Sequence, residues 1–214
     1  ARIHRPDHQP FAVDGAGYRG RDYAVEPDAS AASYPFAAAA ICGGRVRVDG
    51  LGASAAQGDV AFVEVLASMG ATVSADQHGT EVRAETGGLR GGTFDLTHLS
   101  DTAPTLAVVA PFASTPVTVT GIGFIRRKET DRITAVATEL ARCGVDVTED
   151  PDGWTIRPGR PHAAVVRTYD DHRMAMSFAL LGLAVAGVEI ADPACVAKTF
   201  PGYWALLDRL RRGG

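Results

Sequence analysis

The sequence predicts an α/β fold built from three repeated units, with sheets packed around central helices and with the third unit incomplete. Apolar runs that begin at acidic residues recur along the chain, starting at Asp28, Asp101 and Asp170, which are 73 and 69 residues apart. A short strand pattern and a second helix pattern follow each run. Because one such unit could not bury its own apolar helix faces, we expect the three units to share one core.

The composition is that of a globular protein with one large domain or two small ones. The chain has 214 residues, of which 46% are hydrophobic and 21% are charged, and its formal net charge is −4. This charge argues against a nucleic-acid surface, so any basic site must be local and suited to a small anion. No apolar run approaches the ~20 residues of a membrane span, and no signal peptide is recognisable, so we expect no membrane partner.

The cysteines predict a reducing compartment. Cys42, Cys143 and Cys195 are odd in number and far apart, and each stands among apolar or small residues. We interpret them as buried free thiols of a cytoplasmic protein. Neither these cysteines nor the six histidines show a metal-ligand spacing, so no metal site is predicted.

The N-terminal segment, residues 1–24, is too short and polar to be a domain. Its apolar residues are scattered around Phe11 and Tyr18, with Gly15 and Gly17 between them. The pattern predicts a strand followed by a turn.

Each unit then opens with an apolar helix and continues into a short strand. The helices are predicted over 28–41, 101–112 and 170–186, and the strands over 46–50, 117–121 and 188–190. Pro35 should either kink the first helix or mark a later start, because proline lacks the N–H of a helical hydrogen bond.

A second helix is predicted in each unit, beginning near residues 57–59, 129–131 and 198–201. The first two run into hairpins that turn at His78–Gly79 and at 151–153, where we expect glycine to supply a positive φ. The third unit ends without a hairpin. A strand from elsewhere should complete it, either from residues 1–24 or from sequence outside this chain.

The segment 126–132 concentrates charge at the start of the second unit's second helix, with four cations and two carboxylates in seven residues. Helix N-termini already favour anions, so this cluster predicts an anion site with a candidate acid–base group, Glu129. The alternative is a helix cap surrounded by solvated charges. In a rotationally related repeat, the helix starts at Asp101, 128–132, Arg173 and Lys198 would converge on one face. The first unit offers Asp28, Gln57 and Asp59 there and no cation.

Three strings, RRKETDR, TYDDHRMAM and VAKTFPGYW, resemble the 5-enolpyruvylshikimate-3-phosphate synthase family. The resemblance covers essentially the whole chain, as the C-terminal half of such an enzyme. The sister family, UDP-N-acetylglucosamine enolpyruvyl transferase, shares the repeat but not these strings.

The resemblance implies a two-lobed enzyme in which each lobe has three βαβαββ-type units, forming an inside-out α/β barrel, with the site in the cleft. Residues 25–214 would be the C-terminal lobe, and residues 1–24 the end of a missing N-terminal lobe. The N-terminal residues of the full chain would complete the third unit.

Site roles also follow from the resemblance. Asp101 would meet the shikimate hydroxyl as a candidate base, Lys128 would lie near both substrates, and Glu129 would take part in proton transfer to the enol methylene. The cations that hold phosphoenolpyruvate would be Arg132, Arg173 and Lys198. Phe124 stands where some members have an asparagine that binds the shikimate phosphate, so that contact is not expected here.

The implied reaction transfers the enolpyruvyl group of phosphoenolpyruvate to the 5-hydroxyl of shikimate 3-phosphate, with no metal or cofactor and with a monomeric full enzyme. We expect this chain alone to be inactive. The alternatives are an isolated anion-binding lobe or the sister family's chemistry. His172 is interpreted as structural, Asp131 as a cap, and Asp170 with Asp171 as caps that orient Arg173.

Overall fold

The computed structural model describes residues 3–4, 12–13, 15, 17 and 19–212. Two short strands, β1 (Ile3–His4) and β2 (Ala12–Val13), pair antiparallel near the N-terminus. Of the strand and turn predicted for residues 1–24, the parts at 1–2, 5–11, 14, 16 and 18 lie outside the described residues.

The three predicted units are present. The first contains α1 (Ala29–Cys42), β3 (Gly44–Asp49), a 3₁₀ turn (Gly58–Ala61), α2 (Phe62–Ser68), β4 (Thr72–Ala75) and β5 (Gly79–Ala84). The second contains β6 (Thr93–Asp95), α3 (Ala103–Val109), β7 (Val117–Thr120), α4 (Arg132–Arg142), β8 (Val147–Asp150) and β9 (Gly153–Ile156). The third contains β10 (Val165–Val166), α5 (His172–Ala179), α6 (Leu181–Ala184), β11 (Glu189–Ile190) and α7 (Tyr203–Arg212). Further 3₁₀ turns cover Ser100–Thr102, Ala110–Phe112, Gly123–Arg127 and Pro193–Lys198.

The middle unit is a complete βαβαββ unit. Its sheet has the order β6-β7-β9-β8, in which β6 and β7 are parallel and the other pairs are antiparallel. The first unit forms the sheet β3-β5-β4, and the third forms the parallel pair β10-β11. Within the described part of the chain the third unit has no hairpin, in agreement with the prediction. The residue patterns missed β6 and β10, because strands of two or three residues are too short to show alternation.

The core is built around the first helix of each unit. Eleven of the 14 residues of α1 are buried, as are all seven of α3 and seven of the eight of α5. A helix that is apolar all round has to be surrounded by protein, and α3 packs against both α1 and α5. The helix α1 begins at Ala29 and continues through Pro35, so the alternative of a later start is wrong.

Buried hydroxyl groups show the register of the repeat. Ser33 on α1 lies 3.3 Å from Thr105 on α3, and Thr105 lies 3.3 Å from Ser177 on α5, measured between hydroxyl oxygens. Both pairs are 72 residues apart in sequence. Equivalent positions of the three helices therefore meet inside the molecule, and their N-terminal ends lie at the same side of it.

Glycine is required at the two hairpin turns for a reason other than the predicted positive φ. Neither Gly79 nor Gly153 has a positive φ. A Cβ at Gly79 would lie 2.6 Å from the Val48 carbonyl oxygen, and one at Gly153 would lie 1.8 Å from that of Val119. Glycine is needed at both turns because the neighbouring strand approaches too closely for a side chain.

The three cysteines are free, as predicted, but they are not all buried. Cys143 is buried, Cys195 is half-buried and Cys42 is exposed at the end of α1. Burial raises the pKa of the Cys143 thiol to about 11, so this group is unreactive at neutral pH. Among the described helices, none has the length and apolar character to cross a bilayer.

Candidate active site

The six residues predicted from the sequence lie at the starts of helices, and they meet in one network of charges. Asp101 is in the 3₁₀ turn before α3, and Arg132 and Arg173 are in the first turns of α4 and α5. Lys128 and Glu129 are in the loop before α4, and Lys198 ends the 3₁₀ turn before α7. The expected convergence of helix starts is therefore present in the structure.

Arg132 is the centre of the network. Its side chain is only 1% exposed, and it contacts carboxylates from three different segments. Its Nη1 donates to Asp101 Oδ1 at 3.2 Å, its Nη2 to Glu129 Oε2 at 2.7 Å, and its Nε to Asp171 Oδ2 at 2.7 Å. Such a buried guanidinium is tolerated because nearly all of its donors have anionic acceptors.

Asp171 connects Arg132 to the start of α5. Its side chain is fully buried and accepts the backbone N–H of Arg173 at 2.8 Å, which makes it the helix cap. The prediction of a cap is confirmed for Asp171, whereas Asp170 lies in a left-handed turn before it. Arg173 then reaches across to Asp101, and its Nη2 donates to Oδ2 at 2.8 Å.

Glu129 lies between Arg132 and Lys198. The Lys198 ammonium donates to its Oε1 at 3.1 Å. Burial alone would raise the pKa of Glu129, but hydrogen bonds from its own backbone N–H and from Lys198, with the charge of Arg132, lower it to about 2. Glu129 is therefore a carboxylate at neutral pH, and in this arrangement it can accept a proton but has none to give.

Two lysines bring cations to the open side of the network. Lys128 Nζ lies 4.0 Å from Asp101 Oδ1, and Lys198 has 61% of its side chain exposed. Together with the two arginines they place four cations beside three carboxylates. The cluster can therefore attract a small anion, and it also contains carboxylates that can exchange protons.

His172 is buried beside the network, and its Nδ1 has no hydrogen-bond partner among the described residues. This nitrogen lies 4.0 Å from Glu129 Oε1 and 3.9 Å from Asp171 Oδ1. Burial, reinforced by the nearby charge of Arg173, lowers the pKa of His172, so the imidazole is neutral at pH 7.

The first unit stabilises its own helix starts and brings no cation to the network. Gln57 accepts the Ala29 N–H at 2.9 Å, and Asp59 accepts a hydrogen bond from the Ser30 hydroxyl. Phe124 is 49% exposed in the turn before Lys128, so this position offers no polar group to a ligand.

Sequence reasoning missed two features of the site. It assigned Asp171 as a cap but not as the ion-pair partner of Arg132, which is 39 residues away. It also overlooked Glu139, a fully buried carboxylate on α4. The available signal was a charged residue three positions after Val136, on the face of α4 that the spacing of apolar residues marks as buried.

Within the described ranges, no group of three or more histidine, cysteine or carboxylate side chains is arranged to hold a metal ion.

Comparison with known proteins gives matches that cover nearly the whole chain. The model of the family described as EPSP synthase (3-phosphoshikimate 1-carboxyvinyltransferase) matches residues 1–207. A 3-phosphoshikimate 1-carboxyvinyltransferase of Methanoculleus marisnigri is 47% identical over 208 residues, which is 97% of this chain and 49% of the relative. The enzyme of that name from Nostoc punctiforme is 51% identical over 198 residues, which is 92% of this chain and 46% of the relative.

Solved structures also match most of this chain. An EPSP synthase from Acinetobacter baumannii matches with a TM-score of 0.83 at 28% identity, over 97% of this chain and 51% of that one. The enolpyruvyl transferase NikO from Streptomyces tendae matches with a TM-score of 0.71 at 20% identity, over 87% of this chain and 43% of that one, a likeness of fold alone. The chain spans about half the length of the relatives it matches. On the family model and these identities, the chain belongs to the EPSP synthase (3-phosphoshikimate 1-carboxyvinyltransferase) family.

Proposed function

We propose that the protein containing this chain transfers the enolpyruvyl group of phosphoenolpyruvate to the 5-hydroxyl of shikimate 3-phosphate, in the route to aromatic amino acids. The products are 5-enolpyruvylshikimate 3-phosphate and phosphate. The observation that supports this most directly is the network around Arg132, in which four cations and three carboxylates meet at helix starts of a chain that belongs to this family.

The cations suit phosphoenolpyruvate, which has a carboxylate and a phosphate close together. Lys128, Arg173 and Lys198 are the cations that an incoming anion can reach, because each pairs with a single carboxylate in the described structure and keeps part of its side chain exposed. The Arg132 guanidinium is almost fully enclosed by its carboxylate partners. It can bind the substrate anion only if Asp101 or Glu129 moves away from it. Guanidinium groups bind planar carboxylates and phosphates through paired hydrogen bonds.

The carboxylates suit the proton transfers. In the addition step, the 5-hydroxyl oxygen bonds to C2 of phosphoenolpyruvate, Asp101 takes the hydroxyl proton, and a proton delivered to the methylene carbon C3 makes a methyl group. The product is a tetrahedral ketal phosphate. In the second step, a base removes a proton from that methyl group, the C2–C3 double bond forms again, and the phosphate leaves.

Glu129 and Lys128 are the proposed groups for the proton at C3. Because the hydrogen bond from its own backbone N–H, the Lys198 ammonium and the charge of Arg132 together hold the pKa of Glu129 at about 2, Glu129 cannot supply that proton until its surroundings change. An anionic substrate that draws Lys198 away would remove a cation from Glu129 and raise its pKa. Binding of phosphoenolpyruvate would thus prepare the acid that its own reaction needs.

We further propose that residues 25–214 are one lobe of this protein and that residues 1–24 belong to the end of a second lobe. The half-length match to the relatives supports a second candidate state, in which this chain alone binds anions but does not catalyse. The full protein would be a monomer, and its free thiols suit the cytoplasm. No observation favours the sister family's nucleotide-sugar chemistry.

Calorimetric titration and turnover assays test the proposal together. We expect the full-length protein to turn over with both substrates and this chain alone to bind phosphoenolpyruvate weakly without turnover. Arg173→Ala should abolish that binding, whereas Arg157→Ala, a surface arginine paired with Asp146, should leave it unchanged. Failure of the full-length protein to release phosphate from the two substrates would refute the assignment.

A further inference from the structure

A second layer of contacts lies behind the charge network, along one face of α4. Arg132 and Glu139 are seven residues apart on this helix, so they lie two turns, or about 10 Å, from each other along its axis. Both contact the loop between β10 and α5. Arg132 binds Asp171 near the end of this loop, and Glu139 binds its beginning, at Arg167 and Tyr169.

Glu139 is a buried anion with a complete set of donors. Its side chain is 0% exposed. Its Oε1 accepts the Tyr169 hydroxyl at 2.7 Å, and its Oε2 accepts the Arg167 backbone N–H at 3.1 Å and the Arg142 Nε at 3.0 Å. Two of the three donors come from the loop before α5. A buried carboxylate is costly unless it is bonded in this way, so the geometry of that loop and the charge of Glu139 depend on each other.

The loop has an uncommon backbone conformation. Tyr169 and Asp170 have φ values of 56° and 57°, and they are the non-glycine residues with positive φ in the described ranges. Aspartate tolerates this left-handed region, but a bulky residue such as tyrosine adopts it only when its surroundings enforce it. The hydroxyl bond to Glu139 holds the tyrosine from one end, and the Asp171 N–H bond to the Thr168 carbonyl, at 2.9 Å, closes the turn.

The turn leads directly into the proposed anion site. Asp171 follows it, caps α5 through the Arg173 N–H and binds Arg132. A change in the left-handed turn would move Asp171, and with it the start of the helix from which Arg173 extends. The contacts form one continuous series from Glu139 through Tyr169 and Asp171 to Arg173.

We infer that Glu139 and Tyr169 are a positioning pair: the Glu139 carboxylate holds the left-handed turn at Tyr169, and this turn sets Arg173 for the substrate anion. The inference rests on the proposed function, since it takes phosphoenolpyruvate as that anion. Neither residue is proposed to touch the substrate. They act through the backbone that carries the binding group.

The test compares two variants of the full-length protein, each of which alters one hydrogen-bond donor to the Glu139 carboxylate. Tyr169→Phe removes the donor that holds the turn and keeps the ring. Arg142→Gln changes the donor on the other side of the same carboxylate, at a side chain that is 39% exposed and remote from the turn. For Tyr169→Phe we expect the KM for phosphoenolpyruvate to rise about tenfold, the effect of one lost hydrogen bond to a charged group, with the KM for shikimate 3-phosphate nearly unchanged. Arg142→Gln should lower Tm without this selective change.

The outcomes separate the inference from the proposed function. If the wild type is active and Tyr169→Phe keeps the wild-type KM for phosphoenolpyruvate, or if both variants change both KM values alike in proportion to their loss of Tm, the positioning role is wrong. If the wild type does not turn over, the proposed function fails. The positioning role is then decided by calorimetric binding of phosphoenolpyruvate to the same two variants, where a selective loss in Tyr169→Phe supports it and equal binding overturns it.

Discussion

Replacing Asp171 with asparagine isolates the buried charge at the centre of the site. The Asp171 Oδ1 atom accepts the Arg173 N–H, and an asparagine oxygen can keep this capping bond because asparagine caps helices as well as aspartate does. The Oδ2 atom, however, accepts Arg132 Nε at 2.7 Å. In Asp171→Asn the amide nitrogen would replace this oxygen, so its N–H groups would face the N–H of Arg132 Nε.

The size of the effect follows from the burial of both partners. The Arg132 side chain is 1% exposed and that of Asp171 is 0% exposed, so neither can recover the lost interaction from water. Removing one partner of a buried pair costs about 3–5 kcal/mol. Because Arg132 retains Asp101 and Glu129, we expect a value near the lower limit, about 3 kcal/mol. For a domain of this size this corresponds to a fall in Tm of about 6–12 °C.

Thermal and urea unfolding of the chain measure this change, and Asp28→Asn is the matched control. Asp28 caps α1 through the Ala31 N–H, but it is exposed and has no cation partner in the described structure. The same substitution there should change stability by less than about 0.5 kcal/mol. If Asp171→Asn loses less than about 1 kcal/mol, or no more than Asp28→Asn does, the reasoning about a buried ion pair is refuted.

Two further stability predictions follow. The folded-state pKa of Glu129, about 2, lies below its ordinary value of 4.5, so the unfolded chain binds more protons between these values. The contribution of this group is complete above pH 4.5 and is lost as the pH falls toward 2; Glu129→Gln should flatten that part of a stability-against-pH curve, and an unchanged curve would contradict the lowered pKa. Gly153→Ala should destabilise the chain by about 1–3 kcal/mol, because its Cβ would lie 1.8 Å from the Val119 oxygen. In Gly159→Ala the nearest atom is the Arg157 oxygen at 3.9 Å, so its urea midpoint should stay at the wild-type value, and equal losses in the two variants would exclude the close approach as the cause.

The sequence by itself determined the repeat and most helix boundaries. Asp28, Asp131 and Asp171 each cap the helix that their position predicts, because a cap is a local contact within three residues along the chain. The apolar runs predicted the buried helices for the same reason, since helical spacing is written directly into the order of residues. The family strings then identified the residues that the helix starts bring together.

Only the tertiary structure decided how these residues interact. Arg132 contacts Asp101 and Asp171 across 31 and 39 residues, and Arg173 contacts Asp101 across 72. Local periodicity contains no information about contacts between residues so far apart in sequence. It could therefore not show that carboxylates would enclose Arg132. The purpose of Gly153 and the turn at Tyr169 also depend on a neighbouring strand or helix. These features arise because packing three units around shared helices brings together segments that no local pattern connects.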